Sequence, residues 1–342
     1  MLLRAAAALL AFGPVVGLGA CTGPPARQAP QELGPQRTGP GGDLLARGDE
    51  LFGQGDLQEA KRAYARAISA EAPPAVYVQA CAQVARMESL TDSIEAGEPW
   101  LRLAARRASK EEPLGWSRLQ LVLGIFERET GSPEEARERF MRLYDYCLEH
   151  DLHERAIDAA HHVVLVSEDL DEQARWSQRG IEAAEAGGLH GWLAVLWNNK
   201  AASLEDAGRH ADALVAYEAA REYHGRVGDE RRILIADWAV ARSLRRNGRV
   251  EEARLLADEV HARAVGRHEA APSADSAEWL GYTTWELAEH AALVGDRERA
   301  LAQLRAARAS LVEAGIETWG AFGTEELARL DARLASLEGS GA

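Results

Sequence analysis

Residues 43–74 read DLLARGDELFGQGDLQEAKRAYARAISAEAPP. Leu44, Leu45, Gly48 and Leu51 recur at helical spacing and make one face of a first helix. Gly53-Gln54-Gly55-Asp56 interrupts that helix, and Glu59-Ala60 opens a second one with Ala60, Tyr64, Ala67 and Ile68 on a single side. Pro73-Pro74 ends the unit. The stretch therefore predicts two antiparallel helices that bury their apolar faces against each other. From Asp43 onward long stretches keep this helical spacing, and none alternates as a half-buried strand does. The expected fold class is all-α.

The spacing of small and large residues resembles the tetratricopeptide repeat. In that family a small residue on the first helix precedes a small one on the second by twelve positions. A bulky residue follows four later and a packing residue three after that. Gly48, Ala60, Tyr64 and Ala67 match, as do Gly124, Ala136, Phe140 and Leu143. Ala201, Ala213, Tyr217 and Ala220 match with Trp197 nearby, and Ala288, Ala300, Leu304 and Ala307 match again. Ala241, Ala253, Ala257 and Val260 fit with a small residue at the bulky place, while His162, Ala174, Gln178 and Ile181 fit poorly. The physical basis is close approach: helix axes come within about 8–10 Å only where side chains are small, and a large side chain fills the adjoining groove. Turns such as Gly131-Ser132-Pro133, Ala207-Gly208-Arg209, Asn247-Gly248-Arg249 and Gly295-Asp296-Arg297 fall between paired helices, with Ser132 expected to cap and Pro133 to start the helix.

The second-helix alanines stand at 60, 136, 174, 213, 253 and 300, so the first gap holds two units of 38 and the next three are 38, 39 and 40. A unit near Val76–Ser109 is implied by that first gap alone. The last gap, 47, contains Gly266–Ser276, which reads as an inserted loop. The resemblance implies a right-handed superhelical solenoid of about seven antiparallel helix pairs over residues 43–322. Residues 323–342 then form a capping helix and tail. In that helix Thr324 is the expected cap, Leu327, Leu330, Leu334 and Leu337 the apolar stripe, and Arg329, Arg333 and Glu338 the solvated face.

Residues 1–20 carry Arg4 and an apolar run from Ala5 to Phe12, interrupted later by Gly13, Pro14 and Gly17, which suits a signal peptide better than a spanning helix. Leu18-Gly19-Ala20-Cys21 resembles the lipobox of bacterial lipoproteins. The resemblance implies that Cys21 becomes the acylated (palmitate-bearing) first residue of the mature chain. Two or three acyl chains anchor stably, at roughly 0.8 kcal/mol per buried methylene. Thr22 after the cysteine leans by the family's sorting rule toward an outer membrane, with the body facing the periplasm. Residues 21–42 are rich in Pro, Gly and Gln and read as a disordered tether.

The chain has 342 residues with 39 Lys plus Arg against 54 Asp plus Glu, a formal charge of −15 that argues against nucleic acid as a partner. Three cysteines are too few for a disulfide scaffold or a four-thiolate zinc site. Cys81 and Cys147 could pair in an oxidising envelope, but they fall on helices not expected to face each other. Cys147 and His150 are one turn apart, a spacing that can share a metal, and Asp151, His153, His161 and His162 follow. A helix end rich in imidazoles is the expected reading, so no metal and no cofactor is assigned. No phosphate loop, nucleophile elbow or zinc helix occurs in the sequence, and no catalytic residue is assigned.

Carrying the family register forward points Asn198, Ala202 and Glu205 into the groove from one first helix. The next helix contributes Ile235, Trp238, Arg242 and Arg245, and the next Tyr282, Trp285 and Glu289. Asn199 matches an asparagine that some members use on a peptide backbone. Aromatics with arginines suit a peptide groove, since both dominate binding hot spots. An unidentified protein or peptide of the cell envelope is the expected partner. A non-enzymatic lipid-anchored scaffold is the first functional expectation, and a ligand-responsive sensor subunit the second.

Overall fold

The computed structural model describes residues 39–69 and 72–339. The signal segment 1–20, Cys21 and most of the tether lie outside the described residues. The chain divides into two compact units at Ser203/Leu204.

The amino-terminal unit holds α1 (Pro40–Gly53), α2 (Leu57–Ala67), α3 (Pro74–Thr91), α4 (Ile94–Ala105), α5 (Pro113–Glu129), α6 (Pro133–Glu149), α7 (His153–Val166) and α8 (Leu170–Ala186). It also contains α9 (His190–Asp206) up to Ser203. Here α1 packs on α2, α3 on α4, α5 on α6 and α7 on α8, each pair joined by a short turn. The carboxy-terminal unit runs from the end of α9 through α10 (His210–Val227), α11 (Glu230–Arg246), α12 (Val250–Ala270), α13 (Ala274–Leu293), α14 (Arg297–Glu313) and α15 (Gly320–Gly339). In this unit α11 packs on α12 and α13 on α14, while α14 and a short 3-10 turn at Ile316–Thr318 support α15. Among the described residues all regular structure is helical.

The repeat register explains the packing. Gly48 and Gly124 face Tyr64 and Phe140, each sixteen positions on, so closely that a Cβ at Gly124 would stand 2.5 Å from the Phe140 ring. Tyr64, Phe140, Tyr217 and Leu304, the bulky positions of the motif, are fully buried. The implied second unit is real, and its signature is Ala85, Gly97, Leu101 and Ala104. All four are buried, and a Cβ at Gly97 would meet the Phe126 ring at 2.5 Å.

Helix starts follow local chemistry. Asp56, Ser93, Asp229 and Asp296 each accept a backbone N–H two or three residues into the helix. Ser273 forms a reciprocal capping box with Ser276. Ser132 sits at the N-cap before Pro133 as expected, but its hydroxyl makes no capping hydrogen bond.

Three boundaries differ from expectation. The helical body begins at Pro40, inside the stretch assigned to the tether, because proline suits the first turn of a helix. Gly266–Ser276 is no inserted loop: α12 continues to Ala270 and α13 starts at Ala274, so the extra spacing is absorbed by two long helices. Finally, α15 starts at Gly320, which places Thr324 inside the helix, where its hydroxyl bonds the Gly320 carbonyl instead of capping. Cys81 and Cys147 are free thiols, both buried, and burial pushes Cys81 up to about 11 and Cys147 up to about 12.

Candidate functional site

In the carboxy-terminal unit, three helices two apart in the chain present stripes of polar and aromatic side chains to one cavity of ≈280 Å³. From α11 come Trp238, Arg242, Arg245 and Arg246, successive residues on one helical face. From α13 come Tyr282, Trp285, Glu286 and Glu289, and from α15 come Glu326 and Arg329.

The aromatic wall is partly core. Trp238 is only 5% exposed, donates its indole N–H to the Tyr282 carbonyl at 3.2 Å, and packs against the Trp279 and Tyr282 rings. Trp238 lines the cavity and also buttresses its wall, and its face is covered by the Arg242 guanidinium 4.9 Å away. Trp285 is half-buried and bonds Glu289 through its indole N–H at 3.2 Å.

The charges are paired. Glu205 near the end of α9 receives Arg242 and the Tyr217 hydroxyl on Oε2, and Arg246 lies 2.9 Å from its other oxygen. Burial lowers the Arg242 affinity for its proton, but Glu205 more than offsets this, so the guanidinium stays charged. Arg245 grips Glu286 with two bonds of 2.6 and 2.9 Å, and His290 Nε2 stands 3.4 Å from the same carboxylate. Burial alone would push Glu286 up; the His290 and Arg245 hydrogen bonds hold it below the usual carboxylate range. Glu289 takes Arg333 at 2.9–3.1 Å, and Glu326 takes Arg329 at 2.7 Å.

The structure thus brings together Trp238, Arg242, Arg245, Tyr282, Trp285 and Glu289. Asn198 and Asn199 belong to the part of α9 in the amino-terminal unit, whereas the cavity is built from carboxy-terminal residues. Asn198 is buried, and the Asn199 carbonyl accepts the Ser203 hydroxyl at 3.2 Å. Glu286, Glu326, Arg246 and Arg329 also line the cavity, a place the sequence reading did not assign to them. Treating α15 as one more first helix would have found Glu326 and Arg329, and Arg333, expected in solvent, reaches back to α13 for the same reason.

The amino-terminal unit carries its own polar cluster. Asp49 accepts the Tyr64 hydroxyl at 2.8 Å and faces Arg118 at 3.3 Å, and Gln83 donates to the Tyr64 oxygen at 2.9 Å. Burial lowers His161 to about 4 and, with the Arg128 charge nearby, takes His162 well below its ordinary value; the two imidazoles are neutral. Among the described residues no three His, Cys, Asp or Glu side chains gather as metal ligands do, and no helix is long and apolar enough to cross a membrane.

No family model matches the chain, and no curated protein matches it either. Solved structures do. A signal-transduction ATPase with numerous domains and a tetratricopeptide repeat sensor, from Pyrococcus horikoshii, superposes with a TM-score of 0.64 at 14% identity over 86% of this chain. The fold is tetratricopeptide-like. The chain spans 44% of the length of that ATPase protein. A tetratricopeptide repeat protein from Parabacteroides merdae is also similar, at 12% identity over 85% of this chain and 98% of its own, with a TM-score of 0.44. So is a Rap protein complexed with competence and sporulation factor, at 11% identity over 82% and 78%, with a TM-score of 0.46. The tetratricopeptide-like helix pairs account for the positions of the cavity residues, which lie on α11, α13 and α15.

Proposed function

We propose that the protein is a non-enzymatic scaffold of the bacterial cell envelope, anchored by acyl chains on Cys21 and holding a protein or peptide partner in the α11–α13–α15 cavity. The observation that carries the reading is that cavity: aromatic rings and paired charges from α11, α13 and α15 line one recess. Aromatic and arginine side chains at a recess are what binding hot spots are made of. The anchor rests on Leu18-Gly19-Ala20-Cys21 behind an apolar run, with a Pro- and Gly-rich tether after it, and by the sorting rule we place the protein at the outer membrane, facing the periplasm.

Two measurements test it. Intact mass and fractionation of the wild type against Cys21→Ser should show a gain of two or three acyl chains that the variant lacks; an unmodified mass in both removes the anchor. Capture from envelope extracts should recover a stoichiometric protein with the wild type, and Trp285→Ala should weaken that capture by more than about 1 kcal/mol while helix content holds. Equal capture by Trp285→Ala would move the partner site elsewhere. Trp238→Ala is unsuitable, because it removes core packing.

A second reading is supported by the neighbour whose description names a tetratricopeptide repeat sensor. At ≈280 Å³ the cavity is also close to the about 300 Å³ where small-molecule sites begin. A sensor would require an added small ligand before its partner binds, whereas a scaffold retains the partner without one.

A further inference from the structure

His162 stands where the repeat register asks for a small residue. The first helices of the other pairs put Gly48, Ala85, Gly124, Ala201, Ala241 and Ala288 there. On α7 the place holds an imidazole, and two of its contacts reach out of its own helix pair. The ring stacks on Phe140 of α6, with 4.8 Å between centroids and 16° between planes. Phe140 is itself fully buried, against Gly124. Nδ1 of the same imidazole lies 3.3 Å from Nη1 of Arg128 on α5. His162 thus joins the fourth helix pair, α7 and α8, to the third, α5 and α6.

The contact with Arg128 fixes a protonation state. A guanidinium has only N–H donors, so Nδ1 accepts and the ring is neutral, with its proton on Nε2. A second proton would set N–H against N–H beside a permanent charge. Arg128 is held from behind: its Nη2 bonds Glu129 at 3.3 Å, and Glu129 also takes Arg86 of α3 at 2.9 Å. Burial, Arg128 and Arg86 together keep His162 well below its ordinary value, and His161 lies 5.9 Å away on the same helix. Gln178, at the register place opposite on α8, is uncharged and takes Lys200 of α9 at 2.7 Å. Among the described residues no carboxylate acts on the imidazole to offset these cations.

We propose that His162 is an acid-sensitive joint between the third and fourth helix pairs. Protonation breaks the Arg128 hydrogen bond and brings two like charges together, so α7 parts from α5 and α6 as the ring charges. The unfolded imidazole takes its proton near pH 6.5, and the folded one only well below that. The joint is therefore whole above about pH 6.5 and weakens as pH falls. Burial lowers His161 to about 4, which acts in the same direction. Asp158, one turn earlier on α7, acts in the opposite one: burial raises it to about 6 against the pull of Arg155 and Arg118, so its contribution improves in acid. The test compares variants that all keep His161 and Asp158.

The first measurement is native-state hydrogen exchange of the full chain at about pH 7.5 and about pH 5, expressed as protection factors to remove the intrinsic pH dependence of exchange. His162→Phe keeps a ring on Phe140 and removes the titration. From the higher pH to the lower, α7 protection in the wild type should fall at least about tenfold relative to α7 protection in His162→Phe. An unchanged ratio overturns the inference. The second measurement is magnetic resonance of the imidazole. The His162 ring should stay neutral down to about pH 5, with its proton on Nε2. A midpoint at or above about 6.5, or a proton on Nδ1, overturns the inference too.

Arg128→Gln keeps the decision open to experiment even if His162→Phe fails to fold. The amide still offers a donor to the neutral ring, but it can turn its oxygen toward a protonated one. The His162 midpoint should rise by at least about half a pH unit, and the acid loss of α7 protection should shrink. A midpoint that does not move means that Arg128 sets nothing at this joint, and the inference falls.

Discussion

Gly124 and Gly266 are both helical glycines, and their surroundings give them opposite roles. A Cβ on Gly124 would meet the Phe140 ring, which is itself fully buried and stacked on His162 at 4.8 Å. The ring cannot retreat, so the crowding cost of about 1–3 kcal/mol outweighs the roughly 1 kcal/mol that alanine gains in a helix. Gly124→Ala should destabilise by about 1 kcal/mol or more in urea denaturation. Gly266 lies inside α12 with open space around its would-be Cβ. There only the helix preference acts, and Gly266→Ala should stabilise by up to about 1 kcal/mol. A stabilising Gly124→Ala would show that this repeat is not closely packed. Glu278 offers a pH test at the same scale. Burial raises its carboxyl to about 7, with Arg231 pulling it down and Asp275 pushing it up. The folded state thus holds the proton more tightly than the unfolded chain, and stability contributed by Glu278 is lost as pH rises from about 4.5 through 7. Glu278→Gln should therefore stabilise at pH 8 by about 2 kcal/mol and have little effect at pH 4.5. Equal shifts at both values would place the carboxylate in water.

At the scale of elements, α15 is where sequence and structure part most usefully. Its apolar stripe was legible from Leu327, Leu330, Leu334 and Leu337, and Leu330 is indeed fully buried with the others partly covered. Of its polar face, Arg329 and Glu338 are exposed as read, whereas Arg333 turns back to α13. Leucine spacing tells which side of a helix faces the core, but the partner of an arginine depends on a helix some 40 residues away. Arg333 meets Glu289, and Arg329 and Glu326 line the cavity. The missing second unit shows the converse. Ala85, Gly97, Leu101 and Ala104 carry the full register, yet glycine at a position filled elsewhere by alanine hid it. Register alone placed Trp238, Trp285 and Tyr282 on one face, and they line the cavity; that Trp238 also packs into the wall depended on Trp279, one turn before Tyr282 and outside the motif. If α15 closes the array, Leu330→Ala should cost about 2–5 kcal/mol in the carboxy-terminal transition, as a fully buried leucine does. A loss below about 0.5 kcal/mol would make the helix an appendage.

At the scale of the whole molecule, a chain of helix pairs is held by contacts between elements close in sequence, such as α1 with α2 and α3 or α13 with α12 and α14. Stability in such a chain is close to a sum of repeat and nearest-neighbour terms, so damage at one end need not reach the other. Leu45 and Leu330 are both fully buried, in the amino- and carboxy-terminal units respectively. Native-state hydrogen exchange on Leu330→Ala should therefore show protection falling in α13, α14 and α15 while α1 to α3 keep theirs. Leu45→Ala should do the reverse, and the double variant should lose the sum of the two within about 0.5 kcal/mol. Protection falling uniformly along the chain in either single variant would mean that the two units open together, and a partner held at the carboxy-terminal cavity would then stabilise the amino-terminal helices as well. Local loss means instead that occupancy of the cavity protects only the helices that build it, which is the behaviour a scaffold needs if its other unit is to remain available for a separate contact.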